Sequence, residues 1–147
     1  DASSVYTWCL GAQHWSNNPH VSGYKADYGI LLDMVGGKDP RFTKEAVSMQ
    51  FAPKVVEKVW RIAKEEGFSD LFVNDQTGPL TDDHTFVNSI AKIPMIDIIN
   101  RPKSTKTGFV HHWHTQKDDL NSIDPNSLHA VGSILLKLIY LEDVDKI

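Results

Sequence analysis

The chain has 147 residues and 16.5 kDa; 41% hydrophobic content with a mean hydropathy of -0.30 is enough for a packed core and excludes disordered, collagenous and coiled-coil classes. Lysine and arginine number 15 against 19 acids, a formal charge of -4 that offers no basic footprint for nucleic acid, and no apolar run approaches the roughly 18 to 20 residues of a membrane span. The single cysteine, Cys9, forbids an internal disulfide and leaves histidines and carboxylates to hold any metal.

Asp1-Ala2-Ser3-Ser4 is neither an initiator methionine nor a targeting segment, so translation is expected to begin upstream of residue 1. Val5 to Asn17 carries Trp8, Leu10, Ala12 and Trp15 and predicts a short helix that stops at Asn17-Asn18-Pro19. Tyr28 to Val35 is a nearly continuous apolar run closed by Gly36-Gly37, the pattern of a strand buried on both faces. Ala52 to Glu66 spaces Val55, Val56, Val59, Trp60 and Ala63 as one helical stripe, with Pro53 in its first turn and Gly67 past its end. Leu71-Phe72-Val73 and Ile93 to Ile99 read as strands, with a short helix over His84 to Lys92 between them. Asp124-Pro125 then caps and opens a long closing helix through Leu128, Val131, Leu135, Leu138 and Ile139. Strands alternating with helices imply an α/β layered sheet, in which ligands gather where loops leave the carboxyl ends of strands.

A carboxylate inside an apolar strand is costly unless it is hydrogen-bonded, paired or bound to metal, so Asp33 needs a partner. It either accepts backbone N–H groups at the strand end or serves chemistry; for Asp97, in Ile96-Asp97-Ile98, the structural role is the better expectation. Thr81-Asp82-Asp83-His84 packs two acids and an imidazole ahead of a helix. One acid suits an N-cap, which leaves the second for a pKa-tuned or metal-linked role. His111-His112-Trp113-His114 places three of the 7 histidines in four residues. In an extended loop His112 and His114 would point one way and Trp113 the other. Imidazole with carboxylates makes a normal zinc shell, and the alternative is a solvent-exposed polar loop. Cys9 is expected to be a small buried hydrophobe.

Taken in order, Ile30-Leu31-Leu32-Asp33-Met34-Val35-Gly36, Thr81-Asp82-Asp83-His84, Ile93-Pro94-Met95-Ile96-Asp97, and Trp113-His114-Thr115 followed by Asp118-Asp119 resemble the carboxyl-terminal half of a zinc exopeptidase-like domain of the peptidase M28 type. Within that superfamily the chain is most similar to the glutaminyl cyclases, particularly the mammalian-like ones of Bacteroidetes bacteria, from about Thr7 to Leu141. The resemblance implies a mixed central sheet flanked by helices on both faces, with residues 1–147 forming the carboxyl-terminal half of one catalytic domain. It implies His114 as a zinc ligand. Asp33 matches an aspartate that contacts the substrate amine in cyclases and binds a second zinc in two-metal aminopeptidases. Asp82 matches an acid that shares a hydrogen-bond network with the catalytic glutamate. Trp113 lines the pocket, and Thr81 turns its backbone N–H to the substrate. Position 97 departs from the mammalian pattern, which has histidine there, so Asp97 is given no catalytic role.

The other zinc ligands and the general base of the pattern lie upstream of the stretch matching Thr7 to Ala12. The chain is therefore expected to carry one cyclase zinc ligand of three and to be inactive by itself, lacking the amino-terminal half of its own domain. The function implied is zinc-dependent conversion of amino-terminal glutamine to pyroglutamate with loss of ammonia, an acyltransferase activity on peptide or protein amino termini. The alternatives are a co-catalytic two-zinc aminopeptidase and a noncatalytic lobe of the same fold. Family habit implies a bacterial protein exported to the periplasm or cell surface, with no nucleic-acid partner and no membrane span.

Overall fold

A computed structural model describes residues 5–144; Asp1–Ser4, on which the expectation of an upstream start rests, lie outside the described residues. Strands β1 (Gly29–Asp33) and β4 (Met95–Ile99) pair with each other, as do β2 (Phe42–Glu45) and β3 (Phe72–Thr77). An isolated antiparallel bridge joins Phe42 to Asn100. With helices α1 (Leu10–Asn17), α2 (Ala46–Phe51), α3 (Pro53–Glu65), α4 (Asp83–Phe86) and α5 (Pro125–Val144), the fold is α/β, its sheet present as two two-stranded pieces. No helix among the described residues is long and apolar enough to cross a membrane.

The chain divides into two compact units. One comprises the residues through Leu31, Lys44–Val56 and Gln76–Asp97; the other comprises Leu32–Thr43, Glu57–Asp75 and the residues from Ile98 onward.

In the first unit the helix expected over Val5 to Asn17 is broken. Cys9 takes a left-handed backbone (φ 52°), which splits the segment into a 3-10 turn, Val5–Thr7, and α1. Glu45 caps α2 through Val47 N–H and Ser48 N–H. After α4 the chain makes a single π turn, Val87–Ala91, and leaves it through left-handed Lys92. Buried Asn88 stitches that turn to β4: its Nδ2 donates to the carbonyls of His84 and Met95, each at 2.8 Å, and its Oδ1 accepts from Met95 N–H at 2.9 Å. Val47, Ala52, Val56, Phe86, Val87 and Ile96 supply the apolar core. An open recess of about 660 Å³ is lined by Trp15, Tyr24, Tyr28, Ile30, Asp83 and Met95.

In the second unit the Phe42 ring packs on Phe72 at 4.8 Å between centroids, Trp60 meets Phe72 edge-on at 5.2 Å, and the Trp60 indole donates to Val73 C=O at 2.8 Å. Asp124 Oδ1 accepts from Asn126 N–H at 2.9 Å, the expected acidic start of α5. That helix buries Ala130, Val131, Ile134 and Leu138 and leaves Leu136, Ile139 and Tyr140 exposed.

Three strands differ from expectation. Leu32 in β1 is 43% exposed, so this strand is not buried along both faces among the described residues. Strand β3 runs on through Asn74, Asp75 and Gln76 because it has β2 to pair with, and β2 itself, Phe-Thr-Lys-Glu, has no apolar pattern yet is buried throughout.

Candidate active site

Strand β1 carries Asp33 to its end, where the next residue, Met34, adopts φ 52° and turns the chain sharply. A left-handed backbone costs a side-chain-bearing residue roughly 1 kcal/mol, so the turn is held by its surroundings. Gly37 forms an antiparallel bridge with Ile123, and Asp124 N–H donates to Gly36 C=O at 2.8 Å. At Gly36 a Cβ would sit 3.0 Å from Leu128 and 3.3 Å from Ile123, so a side chain there would press on both. A small cavity of about 230 Å³ opens at this turn, lined by Asp33, Met34, Gly36, His112, Asp118 and Ser122 among others. It gathers two carboxylates, an imidazole and a hydroxyl.

The histidine run does not alternate. Residues 111–114 form tight turns, with Trp113 N–H donating to Val110 C=O at 3.1 Å and Thr115 N–H to His112 C=O at 3.0 Å, and His114 is left-handed (φ 57°). His112 consequently faces the Asp33 cavity, whereas the exposed His114 ring lies on Trp113, centroids 4.0 Å apart and planes within 21°. Trp113 stacks in turn on Phe109 at 4.5 Å, and the Arg101 guanidinium lies over the Phe109 ring at 4.5 Å. Gly108 (φ 72°) permits this, since a Cβ there would come within 2.8 Å of Arg101. Four flat groups thus form one stack that ends in the His114 imidazole. Stacking uses the ring face and leaves the ring-plane nitrogens for other partners.

In the first unit Asp82 is the N-cap of α4. Its carboxylate accepts from Asp83 N–H at 2.7 Å, and it forms a capping box with Thr85. Thr81, just before it, is exposed, and its N–H donates no hydrogen bond among the described residues. The second acid, Asp83, sits with Asp82 beside Cys9, whose Sγ lies 3.9 Å from Asp82 Oδ1. Burial, then the charges of Asp83 and Asp82, push the thiol up to about 12, so Cys9 is a protonated, half-buried group next to two acids and more than a small hydrophobe. Asp97 is buried in β4, with its N–H donating to Ser48 Oγ at 2.9 Å.

Glu45 and His84 are a pair that the sequence pattern did not single out. Both are fully buried, with His84 Nε2 3.1 Å from Glu45 Oε2. A carboxylate can only accept, so Nε2 carries the hydrogen, and Nδ1 has no hydrogen-bond partner among the described residues. Burial raises the Glu45 pKa, but donors from His84, Val47, Ser48 and Leu80 outweigh it and hold the carboxyl at about 2. His84 stood in the Asp-Asp-His motif, yet nothing in the sequence linked it to an acid 39 residues earlier.

Zinc chemistry can be tested against these donors. His114 presents an exposed imidazole of the right kind, but a zinc site needs typically three protein ligands. Among the described residues the one trio of donor groups close enough to share an ion is Cys9, Asp82 and Asp83, where the neighbouring acids oppose the thiolate that zinc would require. His114 belongs to no such trio among the described residues.

The α/β fold is that of zinc exopeptidase-like proteins. Residues 6–139 match Peptidase family M28, and the chain belongs to that family. Among solved structures it is similar to Tannerella forsythia glutaminyl cyclase (48% identity, TM-score 0.91, covering 95% of this chain and 48% of that one). It is similar also to Bacteroides thetaiotaomicron glutaminyl cyclase bound to N-acetylhistamine (48%, 0.90, 93% and 46%). A Zn-dependent exopeptidase from Parabacteroides distasonis aligns at 51% identity, TM-score 0.89, over 91% of this chain and 46% of its own. The chain spans about half the length of each. No curated protein matches it.

Proposed function

We propose that the chain is the carboxyl-terminal half of a zinc-dependent glutaminyl-peptide cyclotransferase, which closes an amino-terminal glutamine to pyroglutamate and releases ammonia. The observation that carries this reading is the likeness to two glutaminyl cyclases at 48% identity over more than nine-tenths of the chain. In the reaction the substrate's α-amine nitrogen bonds to the side-chain amide carbon, the carbon–nitrogen bond to the amide NH₂ breaks, and the amine proton leaves with the nitrogen as ammonia.

His114 would hold the zinc, with two carboxylate ligands and the general base from outside this chain. Bound there, zinc supplies Lewis acidity toward the amide carbonyl oxygen. Asp33, at its strand end beside His112, accepts a hydrogen bond from the substrate amine and orients it for attack. The free N–H of Thr81 donates to the substrate, and the Asp82 carboxylate shares protons with the base and tunes its pKa. Trp113, held by Phe109, walls the pocket and keeps water from competing with the internal amine. The same reading puts the intact protein in the periplasm or at the cell surface, which cell fractionation tests.

The Parabacteroides distasonis structure, named a Zn-dependent exopeptidase, favours a second reading: an aminopeptidase in which Asp33 holds a second zinc and water is the nucleophile. Incubating the intact protein with Gln-initiated and Leu-initiated peptides, with zinc counted by atomic absorption, separates the two. Ammonia release, a pyroglutamyl product and one zinc support the cyclase. A freed amino acid and two zincs support the peptidase. Neither product and no zinc would leave a noncatalytic lobe of the same fold.

A further inference from the structure

We propose that Glu45, with His84, is the positioning element for Thr81 and Asp82, an inference that rests on the cyclase reading of those two residues. The argument begins with desolvation. A fully buried carboxylate is tolerated only when its lone pairs are filled, and Glu45 fills them with five donors. Oε1 accepts from Val47 N–H at 2.8 Å and Leu80 N–H at 2.9 Å. Oε2 accepts from Ser48 N–H at 2.8 Å, Ser48 Oγ at 2.9 Å and His84 Nε2 at 3.1 Å. Capping α2 needs only the first donors from Val47 and Ser48, a task that serine or asparagine performs without a buried charge. The bonds to Leu80 and His84 reach instead to either side of Thr81-Asp82.

From there the constraint passes along a few bonds. The N–H of Leu80 is held by Glu45 and its carbonyl by Thr85 Oγ1 at 3.0 Å, so both polar groups of the residue before Thr81 are fixed. Asp82 is fixed by the capping box with the same Thr85, and His84 is tied at its ring to Glu45 and at its carbonyl to Asn88. The residue between these anchors, Thr81, is exposed, and its N–H donates no hydrogen bond among the described residues. A backbone donor clamped on both sides and left open itself is what a preorganised substrate contact requires. Glu45 touches neither substrate nor zinc in this scheme; it acts through the segment it holds.

The test uses the intact protein and three variants. Glu45→Gln removes the charge and turns an amide NH₂ toward backbone donors; His84→Gln keeps Glu45 and a side-chain donor; Ile134→Val is a core control that removes one methylene from α5. Hydrogen exchange by mass spectrometry over residues 78–86 and steady-state cyclisation of a Gln-initiated peptide are measured where all variants are folded. Glu45→Gln is expected to speed exchange at Leu80 and Asp82, whose N–H groups are hydrogen-bonded, about tenfold beyond any change in α5, and to lower kcat by about 10- to 100-fold with KM little moved. Ile134→Val is expected to lower the melting temperature and leave kcat unchanged. Exchange at Leu80 and Asp82 that merely follows global stability, or a kcat that stays at the wild-type value, overturns the proposal. Should Glu45→Gln not fold, His84→Gln decides by the same two readouts, with a smaller expected effect. If the wild type cyclises nothing, the functional reading falls, and the exchange data alone decide whether Glu45 holds the segment.

Discussion

Glu45 makes a pH prediction that can be signed. Its folded pKa, about 2, lies below the ordinary 4.5, so the folded state favours the carboxylate. The stability it contributes is complete above about 4.5 and is lost as pH falls toward about 2, at most about 3 kcal/mol for this one group. Urea midpoints between pH 6 and pH 2.5 should therefore fall more steeply for the wild type than for Glu45→Gln; parallel curves would count against the pair. The Cys9 thiol, pushed up to about 12, should react with iodoacetamide at pH 7.5 at least about tenfold more slowly than free cysteine, as followed by mass spectrometry. At this scale the sequence exposed groups whose neighbours in the chain are informative. One acid of Asp82-Asp83 read as an N-cap because a helix start follows the pair, and Asp82 is that cap. The Glu45–His84 pair and the placing of His112 with Asp33 depend on partners far apart in the chain, and no local pattern records them.

Helix ends and turns carry the predictions at the scale of elements. Asp124→Ala removes the carboxylate that accepts from Asn126 N–H and should cost about 1 kcal/mol, read as a shift in thermal midpoint. Gly36→Ala should cost more, about 1 to 3 kcal/mol, because the new methyl must push aside the side chains of Leu128, in the first turn of α5, and of Ile123, just before that helix. Helices α3 and α5 were legible because a stripe at 3.6-residue spacing with proline at its start is unambiguous. Strand β2 was not, since Phe-Thr-Lys-Glu satisfies its burial through hydrogen bonds and packing from elsewhere instead of through apolar side chains. The break before α1 was hidden for a related reason: Cys9 has no propensity that announces a left-handed backbone. In the histidine run, the alternation rule failed because it presumes extended backbone, and these residues turn.

For the molecule as a whole, the α/β class was legible from alternating patterns, while the division of the chain into two compact units was not, because every strand contributes residues to both and no linker composition marks a boundary. The candidate site was legible only as a list of residue types; which of them share a cavity is set by long-range packing. The chain spans about half the length of the structures it resembles, and under the proposed function it holds one zinc ligand. Dialysed against metal-free buffer, the 147-residue chain by itself should lose added zinc and show no cyclisation, whereas the intact protein should retain both; zinc held at unit stoichiometry by the isolated chain would refute the assignment of His114 as one ligand of several. The stack that runs from Arg101 through Phe109 and Trp113 to His114 has an optical consequence. An indole in face contact with an imidazole has its emission altered when that ring gains a proton or a metal ion. Trp113 is thus a built-in fluorophore beside His114: under the proposed function, with Trp113→Phe as the blank for the other indoles, zinc at His114 can be followed by light alone, without a substrate.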